Sequence, residues 1–320
     1  MNPRSGRVLV TGGAGFIGST LVERLLGDGR DITVLDSFDP YYPEAEKEAN
    51  LRAALQSSQF ELKRGDIRDP KLLEQVLSRG AFSAIVHLAA LAGVRPSLER
   101  PAHYADVNVR GTACVLEAAV RAGVTHVVFA SSSSVYGERS EGPFRETDPV
   151  DRPISPYAAT KRACELIAHS FHHAHGITVT CARIFTAYGP RQRPDLAIRR
   201  FAERMLAGKP VPVFGDGSTV RDFTYVHDLV DGLVRALDRP LGFSILNFGA
   251  GRMCSVLEVV RLLEKALGIT AKIEWLPRQI GDVSRTFADI SAAREVLGYA
   301  PKTPLDVGIE HFAQWLKERK

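Results

Sequence analysis

The chain has 320 residues, 45% of them hydrophobic and 24% charged, with a net charge of +4. That is enough for one large domain or two modest ones, each with ample core. No dense Lys/Arg tract points to nucleic acid, no apolar run reaches membrane-spanning length, and the mild positive excess suits a small anionic ligand.

The four cysteines (Cys114, Cys164, Cys181 and Cys254) are scattered without a C-x-x-C pair. They read as small apolar filler in a reducing compartment. The opening MNPRSGRVLVTGG passes from a short polar lead into a strand with no secretory signal pattern. The expectation is a soluble, cytoplasmic protein.

Arg7 to Thr11 (RVLVT) is a β-branched strand, followed by glycines and a helix from Ser19 to Leu26. Gly12, Gly15 and Gly18 form G-x-x-G-x-x-G, and Gly13 onward also satisfies G-x-G-x-x-G. Glycines between a strand and a helix allow a tight turn and close approach of backbone to a pyrophosphate on the helix N-terminus. Phe16 and Ile17, between the last two glycines, belong to the same cofactor-binding turn. Asp31 to Leu35 (DITVL) is the second strand, and Asp36 at its end can accept hydrogen bonds from an adenosine ribose. Its charge would repel a 2′-phosphate, which favours NAD over NADP; the same Asp could instead form a turn before Ser37.

Phe60 to Lys63 is the third strand. Asp66 and Ile67 follow it in RGDIRD, where Asp66 can face an adenine or shape the turn. Ala84 to Leu88 (AIVHL) is the fourth strand, and Leu88, Ala89 and Ala90 are small enough to pack against a cofactor. His87 reads as a satisfied strand-end histidine. His126 to Ala130 (HVVFA) and Thr178 to Ile184 (TVTCARI) continue the series, with helices around Lys71 to Leu77, Tyr104 to Ala122 and Tyr157 to His173. Alternating helices and near-continuously apolar strands imply an α/β fold: a Rossmann-like, doubly wound parallel sheet.

After Ala130 comes Ser131-Ser132-Ser133-Ser134-Val135-Tyr136-Gly137, whose hydroxyls sit at a strand end facing the expected cofactor crevice, unless the run is merely a polar turn. Tyr157 and Lys161 are four residues apart, so one helix face carries both. An ammonium held beside a phenol favours the phenolate, making it a base near neutrality; an isolated pair at this spacing often just shares a solvated face. Four histidines, His169, His172, His173 and His175, close the helix, where cations suit the C-terminal dipole and metal ligation is the lesser alternative.

Beyond Ile184 the rhythm changes. Residues 186–223 are rich in Pro, Gly and Arg, with a helix near Ile198 to Leu206. Strand-helix material returns at Phe223 to Leu237 and Phe243 to Phe248, then helices at Val256 to Leu267 and Leu305 to Lys320. The expected division is a dinucleotide-binding domain of residues 1–184 plus about 223–250, and a smaller C-terminal α/β substrate lobe of 185–222 plus about 251–320.

TGGAGFIG, VLD, GDIRD, HLAA, VN-x-x-GT, SSSSVYG, SPYAATK, RIFTAYGP, GDGSTVRDFTYVHD and GDVSRTFAD span essentially the whole chain. Together they resemble the extended short-chain dehydrogenase/reductase family, in particular its nucleotide-sugar epimerases. The resemblance implies bound NAD, Tyr157 as general base, Lys161 on the nicotinamide ribose and Ser132 on the reacting sugar oxygen. Asn108, in VNVRGT, would support the cofactor site, although as bare sequence it could equally start a helix. Dehydratases of the family carry an Asp-Glu pair where this chain has Ser133 and Ser134, so water elimination lacks its proton carriers. Decarboxylases usually carry a glutamate just before Val-Tyr-Gly, also absent.

RQRPDLA (Arg191 to Ala197) and AGVRPSLERP (Ala92 to Pro101) are similar to segments of UDP-glucuronate 4-epimerases, apart from Gln192, which stands where glycine is expected. The implied activity is NAD-dependent C4 epimerisation of a UDP-hexuronic acid, UDP-glucuronate to UDP-galacturonate, through a transient 4-keto intermediate. UDP-glucose or UDP-N-acetylglucosamine epimerisation, UDP-glucuronate decarboxylation and a non-catalytic NAD-binding scaffold remain as alternatives. Ser133, Ser134, Thr186 and Arg193 are candidates to hold the uronate carboxylate, Thr186 also fitting a plain strand residue. Arg221 and Arg278 resemble the family's diphosphate-binding arginines, with Asp282 nearby; Arg278 is offset from the commonest R-P-G-D form. No catalytic metal is required. The family also implies a homodimer built from the helices at Tyr104 to Ala122 and at Tyr157 onward, whose apolar faces could equally be covered within one subunit.

Overall fold

The computed structural model describes residues 6–78, 80–139, 141–277 and 283–319. Its centre is a seven-stranded parallel sheet. The first six strands are β1 (Arg7–Thr11), β2 (Ile32–Asp36), β3 (Phe60–Arg64), β4 (Phe82–His87), β5 (His126–Ser132) and β6 (Thr178–Ile184). After β6 come four short strands, β7 (Thr186–Tyr188), β8 (Val211–Phe214), β9 (Val220–Arg221) and β10 (Phe223–Tyr225). The seventh sheet strand, β11 (Phe243–Phe248), then pairs in parallel with β6, Ile245 opposite Cys181. Across the sheet the order is β11-β6-β5-β4-β1-β2-β3.

Every residue of β2 and β5 is buried, because helices cover both faces of a parallel sheet. Alternation sorts the side chains. Val8 and Val10 of β1 pack with Leu21, Leu25 and Leu233 on one face, and Leu9 packs with Ile85, Leu116 and Phe129 on the other. The edge strand β3 (FELKR) is only partly buried and carries charge, with Arg7 paired to Glu61 at 3.1 Å; charged edges discourage further strand pairing.

The strand order reverses between β1 and β4, with all strands parallel, the junction where such sheets open a crevice at their carboxyl ends. The smaller lobe covers it. Its core joins Tyr188, Ile198, Phe201, Val211, Val213, Leu263 and Phe312. There β7 pairs with β10, β9 with β12 (Cys254–Ser255) and β8 with β13 (Ile273–Leu276).

Two of the stretches that differ from expectation bear on the site. The single helix expected over Tyr104 to Ala122 is a short helix Pro101–Tyr104, a π-helical segment Ala105–Arg110 and a helix Gly111–Arg121. The wider turn serves Asn108, whose side chain points inward and is spent on neighbouring elements; π-bulges recur where a side chain has such a task. A helix at Glu44–Leu51 (EAEKEANL) was not expected, because only Lys47, Asn50 and Leu51 of it are buried and its polar run lacks an apolar period.

Candidate active site

The crevice has a volume of about 520 Å³ and is walled by the carboxyl ends of β1, β2, β4 and β5, the helix carrying Tyr157, and the smaller lobe. Its cofactor end begins at Gly12, in the left-handed region at φ +73°. A Cβ there would lie 2.7 Å from the Ala89 nitrogen, and one on Gly18 would lie 2.2 Å from the Gly12 carbonyl oxygen. Both glycines are required by backbone approach. Gly15 is different: its nearest neighbour would be 3.3 Å away, and it faces the crevice. The helix Phe16–Gly27 starts at Gly15 with no side-chain cap and no acid in its first turn, leaving free N–H groups and a favourable dipole for an anion.

Asp36 is buried at the end of β2, accepting hydrogen bonds from the Ala14 (3.0 Å) and Phe38 (2.9 Å) amides. Two oxygens with one protein donor each retain lone pairs for a diol. The Tyr42 hydroxyl, about 4.0 Å from where a Gly15 Cβ would stand, is buried and has no partner among the described residues. An uncapped helix, an acceptor carboxylate and an orphaned hydroxyl around one glycine turn fit a dinucleotide. Phe16, Ile17, Ile67, Leu88, Ala89 and Ala90 line the same trough. Asp66 also lines it, while its carboxylate binds Arg68 at 2.6 Å, which holds it below the usual range; it is turn former and crevice wall at once.

Ser132 caps the short 3-10 turn Ser133–Tyr136, accepting from the Ser134 amide at 3.2 Å and donating to Ser134 Oγ at 3.1 Å. Ser132, Ser133 and Ser134 all face the crevice. Ser155 starts the opposite helix, Pro156–His175, by accepting from the Ala158 amide at 3.2 Å, with proline at the first turn. That start places Tyr157 and Lys161 on the crevice wall. Lys161 is 3% exposed; its Nζ donates to the Ala130 carbonyl at 2.6 Å and lies 5.0 Å from the Phe129 ring centre. Tyr157 stands edge-on to Tyr104, 6.4 Å between ring centres.

Buried ties set this helix. Glu165 accepts from Arg183 of β6 at 2.9 Å twice over, and from the Ser131 hydroxyl at 2.6 Å. Asn108 bridges the amide and carbonyl of Leu91 (2.8 and 3.0 Å) and donates to Thr160 at 3.0 Å. Its side chain thereby ties the Tyr157 helix to the loop after β4, and the residue before it, Val107, lines the crevice. His87 bridges Thr11 (2.7 Å) and Thr112 (3.1 Å), and burial with the Lys161 charge lowers its pKa to about 3. It is a neutral structural histidine. His169 and His172 pack on Phe243, and His172 also bonds the Ile177 carbonyl at 2.7 Å.

On the far wall, Thr186 opens β7, its amide bound to the Asp222 carbonyl at 3.1 Å. Arg193 makes a two-pronged pair with Asp195, both contacts 2.9 Å. Burial works against the guanidinium's charge, yet Asp195 raises its pKa. Arg221 in β9 donates to the Val220 (2.9 Å) and Val283 (2.6 Å) carbonyls. All three face the crevice, whereas Arg278 and Asp282 lie outside the described residues. Sequence reasoning missed Tyr41, Tyr42, Lys47 and Asp195, which line it too. Tyr41 donates to Asp195 at 3.2 Å, and burial, then Asp195, push its pKa up to about 12. The Tyr41-Tyr42 pair directly after β2 was the available signal.

A dinucleotide trough leading to a Ser/Tyr/Lys cluster defines an oxidoreductase-type site on a doubly wound sheet. A sequence profile of the NAD dependent epimerase/dehydratase family matches residues 8–249, and the chain belongs to that family. A UDP-glucuronate 4-epimerase of Thermodesulfobacterium geofontis is 40% identical over 314 residues, covering 98% of this chain and 97% of that protein. Among solved structures, the UDP-glucuronic acid 4-epimerase of Bacillus cereus in complex with UDP-glucuronic acid and NAD superposes with a TM-score of 0.92 at 36% identity, covering 98% of this chain and all of that one. The UDP-glucose 4-epimerase of Thermotoga maritima with UDP-glucose gives 0.90 at 33%, covering 98% and 99%.

Proposed function

We propose that this protein is an NAD-dependent isomerase that inverts C4 of UDP-glucuronate to give UDP-galacturonate. The observation that carries this reading is one crevice lined at its cofactor end by a glycine turn and further along by Ser132, Ser133, Ser134, Tyr157, Lys161 and Thr186. The relatives at about 40% identity and the Bacillus cereus complex support the substrate.

Gly12, Gly15, Gly18, Asp36 and Ile67 would hold NAD, which would supply the acceptor and donor of the C4 hydride. Lys161 lies on the same crevice wall as Tyr157, its ammonium held by the Ala130 carbonyl. The Tyr157 oxygen accepts the 4-OH proton as C4 is oxidised and returns it after the 4-keto sugar has turned its other face. Ser132 keeps the sugar oxygen placed through both half-reactions. The intermediate is a β-keto acid, which loses carbon dioxide readily when the carboxyl bond aligns with the ketone π-system. Ser133, Ser134 and Thr186, with Arg193 behind them, hold the carboxylate out of alignment by charge-assisted hydrogen bonds. Arg221 receives the diphosphate, with Arg278 and Asp282 as further candidates.

We assign residues 1–184 and about 223–250 to the cofactor domain and the rest to the UDP-sugar lobe. We further infer a homodimer through the helices Gly111–Arg121 and Pro156–His175, the latter exposing Leu166 at 55%; light scattering should give twice the chain mass. The four free cysteines fit a cytoplasmic enzyme.

The test is incubation with UDP-glucuronate and no added NAD, with chromatographic separation of C4 epimers. UDP-galacturonate is the expected product. A UDP-pentose with NADH, or turnover of neutral UDP-sugars alone, would reject the proposal.

A further inference from the structure

The crevice is bridged at its rim. Tyr41 stands five residues after Asp36, in the loop that leaves β2. Its hydroxyl donates to the Asp195 carboxylate of the smaller lobe at 3.2 Å, and the Arg193 guanidinium that grips Asp195 lies 5.5 Å from the Tyr41 ring centre. All three residues line the crevice, yet the Arg193 and Asp195 side chains are 20% and 33% exposed. The junction therefore sits where the crevice meets solvent. Tyr41 reaches a third segment as well: a Cβ on Gly93, in the loop after β4, would lie 3.1 Å from its hydroxyl.

Both bridging loops are held in unusual backbone. Among the described residues, Phe38 and Arg191 are the two non-glycines with positive φ, at +53° and +65°. Phe38 stands three residues before Tyr41, and Arg191 two before Arg193. Such strain persists where neighbours over-determine it, and it gathers at clamps and switches. The Phe38 amide is fixed at 2.9 Å by Asp36, the carboxylate assigned to the adenosine ribose, and Arg191 donates to Glu23 at 2.5 Å. A second tie between the same two parts, Arg199 on Glu46, is more deeply buried, so the lobe stays attached when the rim bond opens.

We propose that Tyr41, Asp195 and Arg193 form a latch that retains the dinucleotide in the crevice between half-reactions. The inference rests on the function proposed above: an enzyme that withdraws a hydride and gives it back fails if the reduced cofactor leaves between the two steps. A dinucleotide laid from the glycine turn to Tyr157 would run along the crevice that this junction spans.

The experiment follows exchange of bound NAD on the full chain. NAD-loaded protein is mixed with excess deuterium-labelled NAD and desalted at intervals, and the cofactor still bound is read by mass spectrometry. Tyr41→Phe keeps the ring and removes the bond to a carboxylate, so exchange should quicken about tenfold or more. Asp195→Asn disturbs the Arg193 pair as well and should exchange at least as fast. The double variant should be no faster than Asp195→Asn alone, because both residues act in one latch. Exchange at the wild-type rate in either variant, or additive acceleration in the double variant, would overturn the latch alone. A wild-type chain that binds no NAD would overturn the latch and the proposed function together.

Discussion

At the residue scale the argument turns on what a single side chain can do in its place. Replacing Tyr157 by Phe removes the proton acceptor and leaves the ring packed against Tyr104, so epimerisation should fall about 10²–10⁴-fold while the purified protein keeps its NAD absorbance. The glycine turn makes a sharper contrast. A Cβ on Gly18 would meet the Gly12 carbonyl at 2.2 Å, whereas one on Gly15 meets nothing nearer than 3.3 Å. Gly18→Ala should lose about 1–3 kcal/mol of stability by urea titration together with its NAD; Gly15→Ala should keep the stability and lose only cofactor affinity. The glycines, Asp36, the serine turn and the Tyr/Lys pair were legible because each follows a strand or opens a helix. Tyr41, Tyr42 and Asp195 were not, since they sit on irregular loops whose path is set by packing. Asn108 was visible as a residue, but only the fold shows its side chain bonding Leu91 and Thr160.

Among the elements, the helix Pro156–His175 matters most, and the buried Arg183–Glu165 pair locks it to β6. Burial raises the Glu165 pKa, but hydrogen bonds and charge from Arg183 overcome it, and the net shift is downward. A carboxyl whose folded pKa is depressed contributes stability in full above its unfolded value of about 4.3. That contribution is lost as pH falls below that value toward the folded one. Glu165→Gln strands the Arg183 charge, so it should cost about 3–5 kcal/mol at neutral pH and flatten the acid limb of a stability–pH curve measured by denaturant unfolding. Strand positions were readable from β-branched runs buried on both faces. The helix expected at Tyr104 to Ala122 concealed its π-helical centre, because periodicity records which residues are apolar and not how tightly the turns are wound.

Over the whole molecule, the crevice exists because a second lobe folds back over the sheet's switch point. The parallel sheet could be inferred from the alternation of elements. A smaller C-terminal lobe and its helices could be inferred as well, but not its short strands, which pair over two to four residues, too few to show a period. Arg199 is one of its fastenings: it grips Glu46 through two contacts of 2.6 and 2.7 Å and the Gln192 carbonyl at 2.8 Å. Arg199→Met should destabilise the protein by about 1.5–3 kcal/mol and raise KM for the UDP-sugar more than it lowers kcat, as steady-state kinetics would show.

The central claim is that one hydride leaves C4 and comes back within a single closed site. UDP-glucuronate carrying deuterium at C4 measures this directly by mass spectrometry and NMR of the product. Full retention of the label at C4 of UDP-galacturonate is predicted; deuterium lost to solvent, or carried off on free NADH beside a decarboxylated sugar, would contradict it.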